Sequence, residues 1–210
     1  MLARLVMAVA AVGLFLVAYQ WGNQLRFGSG EPPTIGGVLL RPAPSLPDFV
    51  LTDTLGEPFG RGDLLDHWSL LGIANLAGAS GHRGMVRLVE VYNRLADRPQ
   101  IHDSLRLLLV TADAAPKLAR DFEGLSTAIA VLSGDRTAVA DLATALGADP
   151  DTALNGHDTE PPALFLLDPD ARLVAVFPSA ETPATIADDL AALAQFRKQR
   201  PHQGNDDAPH

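Results

Sequence analysis

The sequence predicts an α/β domain with a mixed central sheet and helices on both faces. Three observations predict it. Apolar runs of strand length alternate with amphipathic helical stretches through the middle of the chain. The run from Trp68 to Leu76 is apolar enough for a strand covered on both sides, as in the centre of a parallel sheet. Hairpin signals stand at both ends, with turn residues at Thr54-Leu55-Gly56-Glu57 and at Asp168-Pro169-Asp170-Ala171. No internal repeat is visible.

The elements follow in order. Leu5 to Tyr19 is uninterrupted apolar sequence, preceded by Arg4 and followed by Trp21. A membrane span needs ~20 mainly apolar residues, and interfacial aromatics favour its end. Residues 1–22 are therefore expected to form an uncleaved transmembrane signal-anchor with the N-terminus in the cytoplasm. Residues 23–45 hold scattered Gly and Pro and are read as a linker, with Val38-Leu39-Leu40 as a short strand within it. The domain itself is placed at 46–198. Asp48 to Asp53 alternates as a half-buried strand does, and Pro58-Phe59 begins its return. Gly62 to Leu65 is expected to make a helical turn with Asp63 as cap.

Glycines from Gly78 to Gly84 follow the Trp68–Leu76 strand and lead into a helix. Its apolar face is Met85, Leu88, Val89, Tyr92 and Leu95; Arg87, Glu90 and Arg94 are assigned to the polar face. Trp68 and Tyr92 are read as core residues. Leu105 to Val110 is the next strand, Ala115 to Leu125 a helix, Thr127 to Leu132 a strand, and Thr137 to Leu146 a helix stopped by Gly147. Asp149 to Pro161 is read as polar loop. Ala163 to Leu167 and Arg172 to Phe177 form the closing hairpin, and Pro183 opens a last helix that buries Ile186, Leu190 and Leu193. Residues 199–210 are expected to be a disordered tail.

Composition narrows the function. The chain has 210 residues, 47% hydrophobic and 20% charged, which is enough apolar sequence for a folded core. Its net charge of -9 argues against nucleic acid, whose phosphates need a basic surface. With Cys 0, no thiolate nucleophile, disulfide or thiolate metal ligand exists.

A set of motifs then falls into a familiar order. Leu46-Pro47-Asp48-Phe49, Leu51-Thr52-Asp53, Gly56 and Pro58-Phe59 are followed by Trp68-Ser69-Leu70-Leu71 and by Glu90-Val91-Tyr92. Leu166, Asp168-Pro169-Asp170 and Arg172-Leu173-Val174-Ala175 complete the set. This pattern, from about Leu46 to Leu193, resembles the Sco/SenC family of membrane-anchored, thioredoxin-like copper chaperones and thiol reductants in cytochrome c oxidase assembly. The resemblance implies a thioredoxin-like fold, respiratory oxidase subunits or assembly factors as partners, and a bacterial inner-membrane protein whose domain faces the periplasm.

It also implies a site that this chain lacks. The family carries Cys-x-x-x-Cys and a distant His. Aligned from Glu90-Val91-Tyr92, the cysteine positions fall on Ala77 and Gly81; aligned from Trp68-Ser69-Leu70-Leu71, they fall on Gly78 and His82. The histidine position falls on Glu160, with His157 three residues out of register. Pro162 stands where thioredoxin-like proteins carry a cis-proline, and a cis bond is expected there.

The resemblance thus implies a degenerate member with vestigial positions Ala77, Gly78, Gly81, His82, Glu160 and Pro162. No catalytic residues are assigned, and the chain is expected not to be an enzyme. His82, Met85 and His157 are what remains for copper, since thioether and imidazole donors can hold it. Gly78-x-Ser80-x-His82 departs from a nucleophile elbow in its last residue. The start of the helix, with Arg83, could attract an anion. Asp53, Asp168 and Asp170 are read as turn residues. The expected function is protein contact in oxidase assembly without redox chemistry or cofactor. The alternatives are a copper carrier with a rebuilt His/Met site, and a small-molecule or peptide binder in the cleft between Ala77–His82 and Glu160–Pro162.

Overall fold

The central strand β4 (Trp68–Ile73) is buried along its whole length. Its side chains alternate between two cores, as strand geometry requires. Trp68 and Leu70 join the cluster on one face, Leu71 and Ile73 the cluster on the other. The hydroxyl of Ser69 is buried without a hydrogen-bond partner. That costs about 1–3 kcal/mol. The four large apolar neighbours on the same strand contribute about 1.5–3 kcal/mol each and outweigh it.

The structure, a computed structural model, describes residues 32–113, 115–155 and 160–199. Ile35–Ala194 forms one compact unit. The expected signal-anchor (1–22), the tail beyond Gln199 and His157 lie outside the described residues. No helix among the described residues is long and apolar enough to cross a membrane.

Eight strands make one sheet: β1 (Val38–Leu39), β2 (Val50–Thr52), β3 (Pro58–Gly60), β4, β5 (Leu105–Thr111), β6 (Ile129–Ser133), β7 (Leu164–Leu167) and β8 (Leu173–Phe177). Their order is β1-β8-β7-β4-β5-β6-β2-β3. Strands β4, β5 and β6 are parallel, with Leu70 opposite Leu107 and Leu109 opposite Val131. The remaining pairings are antiparallel. The mixed sheet is as the sequence predicts.

The helices are α1 (Ala79–Arg94), α2 (Pro99–His102), α3 (Pro116–Glu123), α4 (Arg136–Ala145), α5 (Pro150–Asn155) and α6 (Pro183–Gln199). Met85, Leu88 and Val91 of α1 share one core with Ile186 and Leu190 of α6. Val139 and Leu142 of α4 share the other with Leu154 of α5. The sheet therefore sits between two helical layers. The 3₁₀ turn spans Arg61–Leu64 with Gly60 as its N-cap; Asp63, read as the cap, is its third residue and accepts from the Gly60 N–H at 2.8 Å. The turn aspartates act as read. Asp53 accepts from the Leu55 and Glu57 N–H groups, and Asp168 from those of Asp170 and Arg172. Trp68 is a core residue, whereas Tyr92 is only partly buried and stacks on His102 at 4.1 Å.

Three readings of the sequence need correction. The compact unit begins at Ile35, not at 46, because the segment read as linker supplies the edge strand β1. That segment is fixed by Asp189 of α6, whose carboxylate accepts from the N–H groups of Gly36 (2.8 Å) and Gly37 (3.3 Å). A Cβ on Gly37 would stand 2.5 Å from the Phe177 ring, so only glycine permits this approach. Second, the polar loop after Gly147 contains α5. Asp149 caps it, accepting from the Thr152 N–H at 3.0 Å and hydroxyl at 2.6 Å. Third, Arg87 is not on a polar face; it is 4% exposed.

Candidate functional site

The loop where the resemblance places the family's cysteines joins β4 to α1, and here it is folded in upon itself. The Asn75 carbonyl accepts from the N–H groups of both Gly78 (3.2 Å) and Gly81 (3.1 Å). The Asn75 side chain accepts a second time from the Gly78 N–H at 2.8 Å. Gly78 is the extended residue that precedes α1. Gly81 is buried against this turn. A Cβ there would lie 2.3 Å from the Asn75 oxygen and 2.8 Å from the Leu76 Cα. Backbone, not a movable side chain, occupies the place of any side chain at 81.

The other expected positions diverge. Ala77 and His82 are exposed. His82 places Nδ1 3.4 Å from the Gly78 oxygen and meets the Phe122 ring edge-on at 5.3 Å. Met85, three residues on, is 1% exposed within the core. The two remaining described candidates for copper therefore face a surface and a core. Ser80 is buried while His82 is exposed, so Ser80 and His82 occupy different environments.

Across from the loop, Glu160 accepts from the Ser179 hydroxyl at 3.0 Å. The Pro161–Pro162 bond is trans, contrary to expectation; among the described residues the cis bond is Arg41–Pro42. Trans is the lower-energy state of an X–Pro bond by about 0.5–1 kcal/mol. The Pro162 carbonyl is also held by Arg87. Gly84 of α1 makes room for the Pro162 ring, since a Cβ at 84 would stand 2.9 Å from it.

Arg87 is the residue that sequence reasoning missed. Its guanidinium donates to the carbonyls of Pro162 (2.7 Å), Pro178 (2.6 Å) and Glu181 (2.7 Å). Burial pulls its pKa down, and the nearby Glu181 carboxylate opposes that pull. One cation thus ties α1 to the start of β7, the end of β8 and the loop before α6. A signal existed: Ser80, Gly84, Arg87 and Val91 follow the helical 3–4 spacing, and all four are buried.

Beside Pro162 lies a cleft of about 380 Å³. It runs from Ile73 and Ala74 at the end of β4 to Ala148 and Ala153 around α5, with Glu160 and Asp149 among its lining residues. The structure brings Glu160 and Pro162 together here. From the β4–α1 loop region it adds only Ser80; Ala77, Gly78, Gly81 and His82 do not line it. His82 instead lines a shallower groove of about 340 Å³ with Arg83, Arg87 and Glu181.

This fold has known counterparts. The sequence matches the SCO1/SenC family over residues 40–195. The chain belongs to the SCO1/SenC family. Among solved structures, yeast Sco1 with copper bound is similar at 18% identity, with a TM-score of 0.56 over 74% of this chain and 98% of that one. Apo Sco1 from Thermus thermophilus is similar at 19% identity, with a TM-score of 0.55 over 80% and 99%. Arabidopsis thaliana ScoI with copper bound shares 10% identity, with a TM-score of 0.55 over 74% and 99%. A further relative, BsSco, is described as a member of the Sco family of cytochrome c oxidase assembly proteins. No curated protein matches the chain.

Copper is the metal that Sco membership implies, and among the described residues those present do not fit it. Cu(I) selects soft thiolate or thioether donors. This chain has no cysteine, its loop has no room for a side chain at Gly81, and Met85 is sealed in the core.

Proposed function

We propose that this chain is a membrane-anchored Sco homologue that acts by protein–protein contact as an accessory factor in respiratory oxidase assembly, without thiol chemistry. The anchor would be residues 1–22, with the domain facing the periplasm of a bacterium. One observation carries the reading: the Asn75 carbonyl and the Leu76 backbone fill the space that a Cβ at Gly81 would need. In the register that places the family's cysteines at Ala77 and Gly81, the absence of thiols goes with a backbone that leaves no room for a side chain at 81. The shape around Pro162 has meanwhile been kept by Arg87. A scaffold that is maintained without its reactive groups is suited to binding.

The test is affinity capture of the full chain from detergent-solubilised membranes. Enrichment of oxidase subunits or oxidase assembly factors is expected. Capture that recovers neither removes the assembly role. Titration with Cu(I) and Cu(II) supplies the second arm. Stoichiometric binding tighter than micromolar that disappears in His82→Ala would overturn the reading in favour of a copper carrier.

A further inference from the structure

The cleft beside Pro162 has a one-sided chemistry. Its walls are apolar, with Ile73, Ala148, Ala153, Phe165 and Val176 among them. Its charged lining is carboxylate alone: Asp149 and Glu160, with no Lys, Arg or His among the described lining residues. Both carboxylates belong to exposed residues. Hydrogen bonds from Thr152 hold the Asp149 pKa below its ordinary value, so it is charged at neutral pH. Three prolines, Pro161, Pro162 and Pro178, also line the cleft. Proline has no N–H, so this part of the wall offers no backbone donors to an anion. Arg87 lies close by but does not line the cleft; its Nη1 and Nη2 groups donate to the Pro162, Pro178 and Glu181 carbonyls, and its Nε is buried without a partner.

An anionic or acidic ligand is therefore disfavoured. A chain of net charge -9 adds a long-range field of the same sign. The volume is within the range of about 300–1,000 Å³ typical of sites that enclose a small ligand or a few side chains.

We propose that this cleft docks a basic, apolar peptide segment of a partner protein: an aromatic or aliphatic side chain seated on Ile73 and Phe165, with flanking Lys or Arg side chains paired to Asp149 and Glu160. This rests on the protein-contact reading above and names its site. The apolar side chain supplies affinity through buried area, and the carboxylates set orientation and on-rate.

The test uses the full chain in detergent and fluorescein-labelled hexapeptide amides, with a central Phe-Leu flanked by two Lys on each side. Control peptides carry Glu in place of Lys, or Ala in place of Phe-Leu. Saturable binding of the Lys peptide is expected, at least tenfold tighter than that of either control. The double variant Asp149→Asn, Glu160→Gln should weaken it three- to tenfold and flatten its dependence on salt. Asparagine still caps α5, so this variant keeps the fold. Ala153→Trp, which fills the cleft, should abolish binding.

Failure of the Lys peptide to saturate overturns the proposal, as does equal binding of the Glu peptide. Binding unchanged in the double variant removes the charge argument with the same effect. Membrane capture with Ala153→Trp separates this proposal from the wider reading. If the variant still recovers oxidase components, contact in assembly stands and the cleft is not its site.

Discussion

The β4–α1 loop and the Arg87 clamp lie on the same helix, one at its start and the other two turns on. They are built in opposite ways. The loop is held by backbone hydrogen bonds to Asn75 and by glycines whose missing Cβ atoms let the chain close. The clamp is a single long side chain that reaches three carbonyls 75, 91 and 94 residues away. At the β4–α1 junction this chain has tight local geometry and no cysteine. Where the scaffold needs reach, it keeps a buried charge. The contrast teaches that a loop's local shape and the long-range ties of its helix are held by different residues: backbone contacts at Asn75 and Gly81, and one side chain at Arg87.

Breaking the clamp gives the largest expected effect. Arg87→Met leaves three carbonyls without their charged donor and should cost about 3–5 kcal/mol, read from urea unfolding midpoints. A cost under about 1 kcal/mol would make the clamp incidental. The loop comes next. Gly81→Ala forces a Cβ against backbone and should cost about 1–3 kcal/mol, with altered amide shifts at residues 75–78. Gly84→Ala probes the border between the two regions. Its Cβ meets the Pro162 ring, which can shift, and helix propensity gains up to about 1 kcal/mol. The net change should stay below about 1 kcal/mol, and a larger loss would show that the Pro162 ring is as rigid as the loop.

Asp189 gives the smallest effect, outside both regions. Burial raises its pKa, and the Gly36 and Gly37 N–H groups lower it less. The folded state then binds its proton more tightly than the unfolded state does. Stability should fall as pH rises from the ordinary aspartate range through the raised folded value, and level off above it. Unfolding midpoints across that range, compared with Asp189→Asn, check the sign; a rise with pH in the wild-type difference would contradict it.

The same contrast explains what the sequence made legible. β4 could be read because a strand buried on both faces must be apolar throughout, and the α1 stripe because Met85, Leu88 and Val91 recur at helical spacing. The missing thiols were visible from composition alone. Arg87 was not, because its partners are loop carbonyls far along the chain, and a charged side chain reads as exposed until those are known. α5 was missed because six residues carry too little periodicity; Asp149 and the packing of Leu154 make it a helix. The trans bond before Pro162 and the closure over Gly81 depend on neighbours that no local pattern reports.

The two outer strands close off one common way of recruiting a partner. β1 is two residues long, with Gly36 and Gly37 before it and Pro42 and Pro44 after it; β3 opens on Pro58. A visiting strand needs a run of free N–H and C=O groups, and edges this short and proline-flanked do not provide one. Recognition of the proposed partner would thereby be steered away from the sheet margins and toward side-chain complementarity, so that its specificity would be written in pockets rather than in backbone pairing.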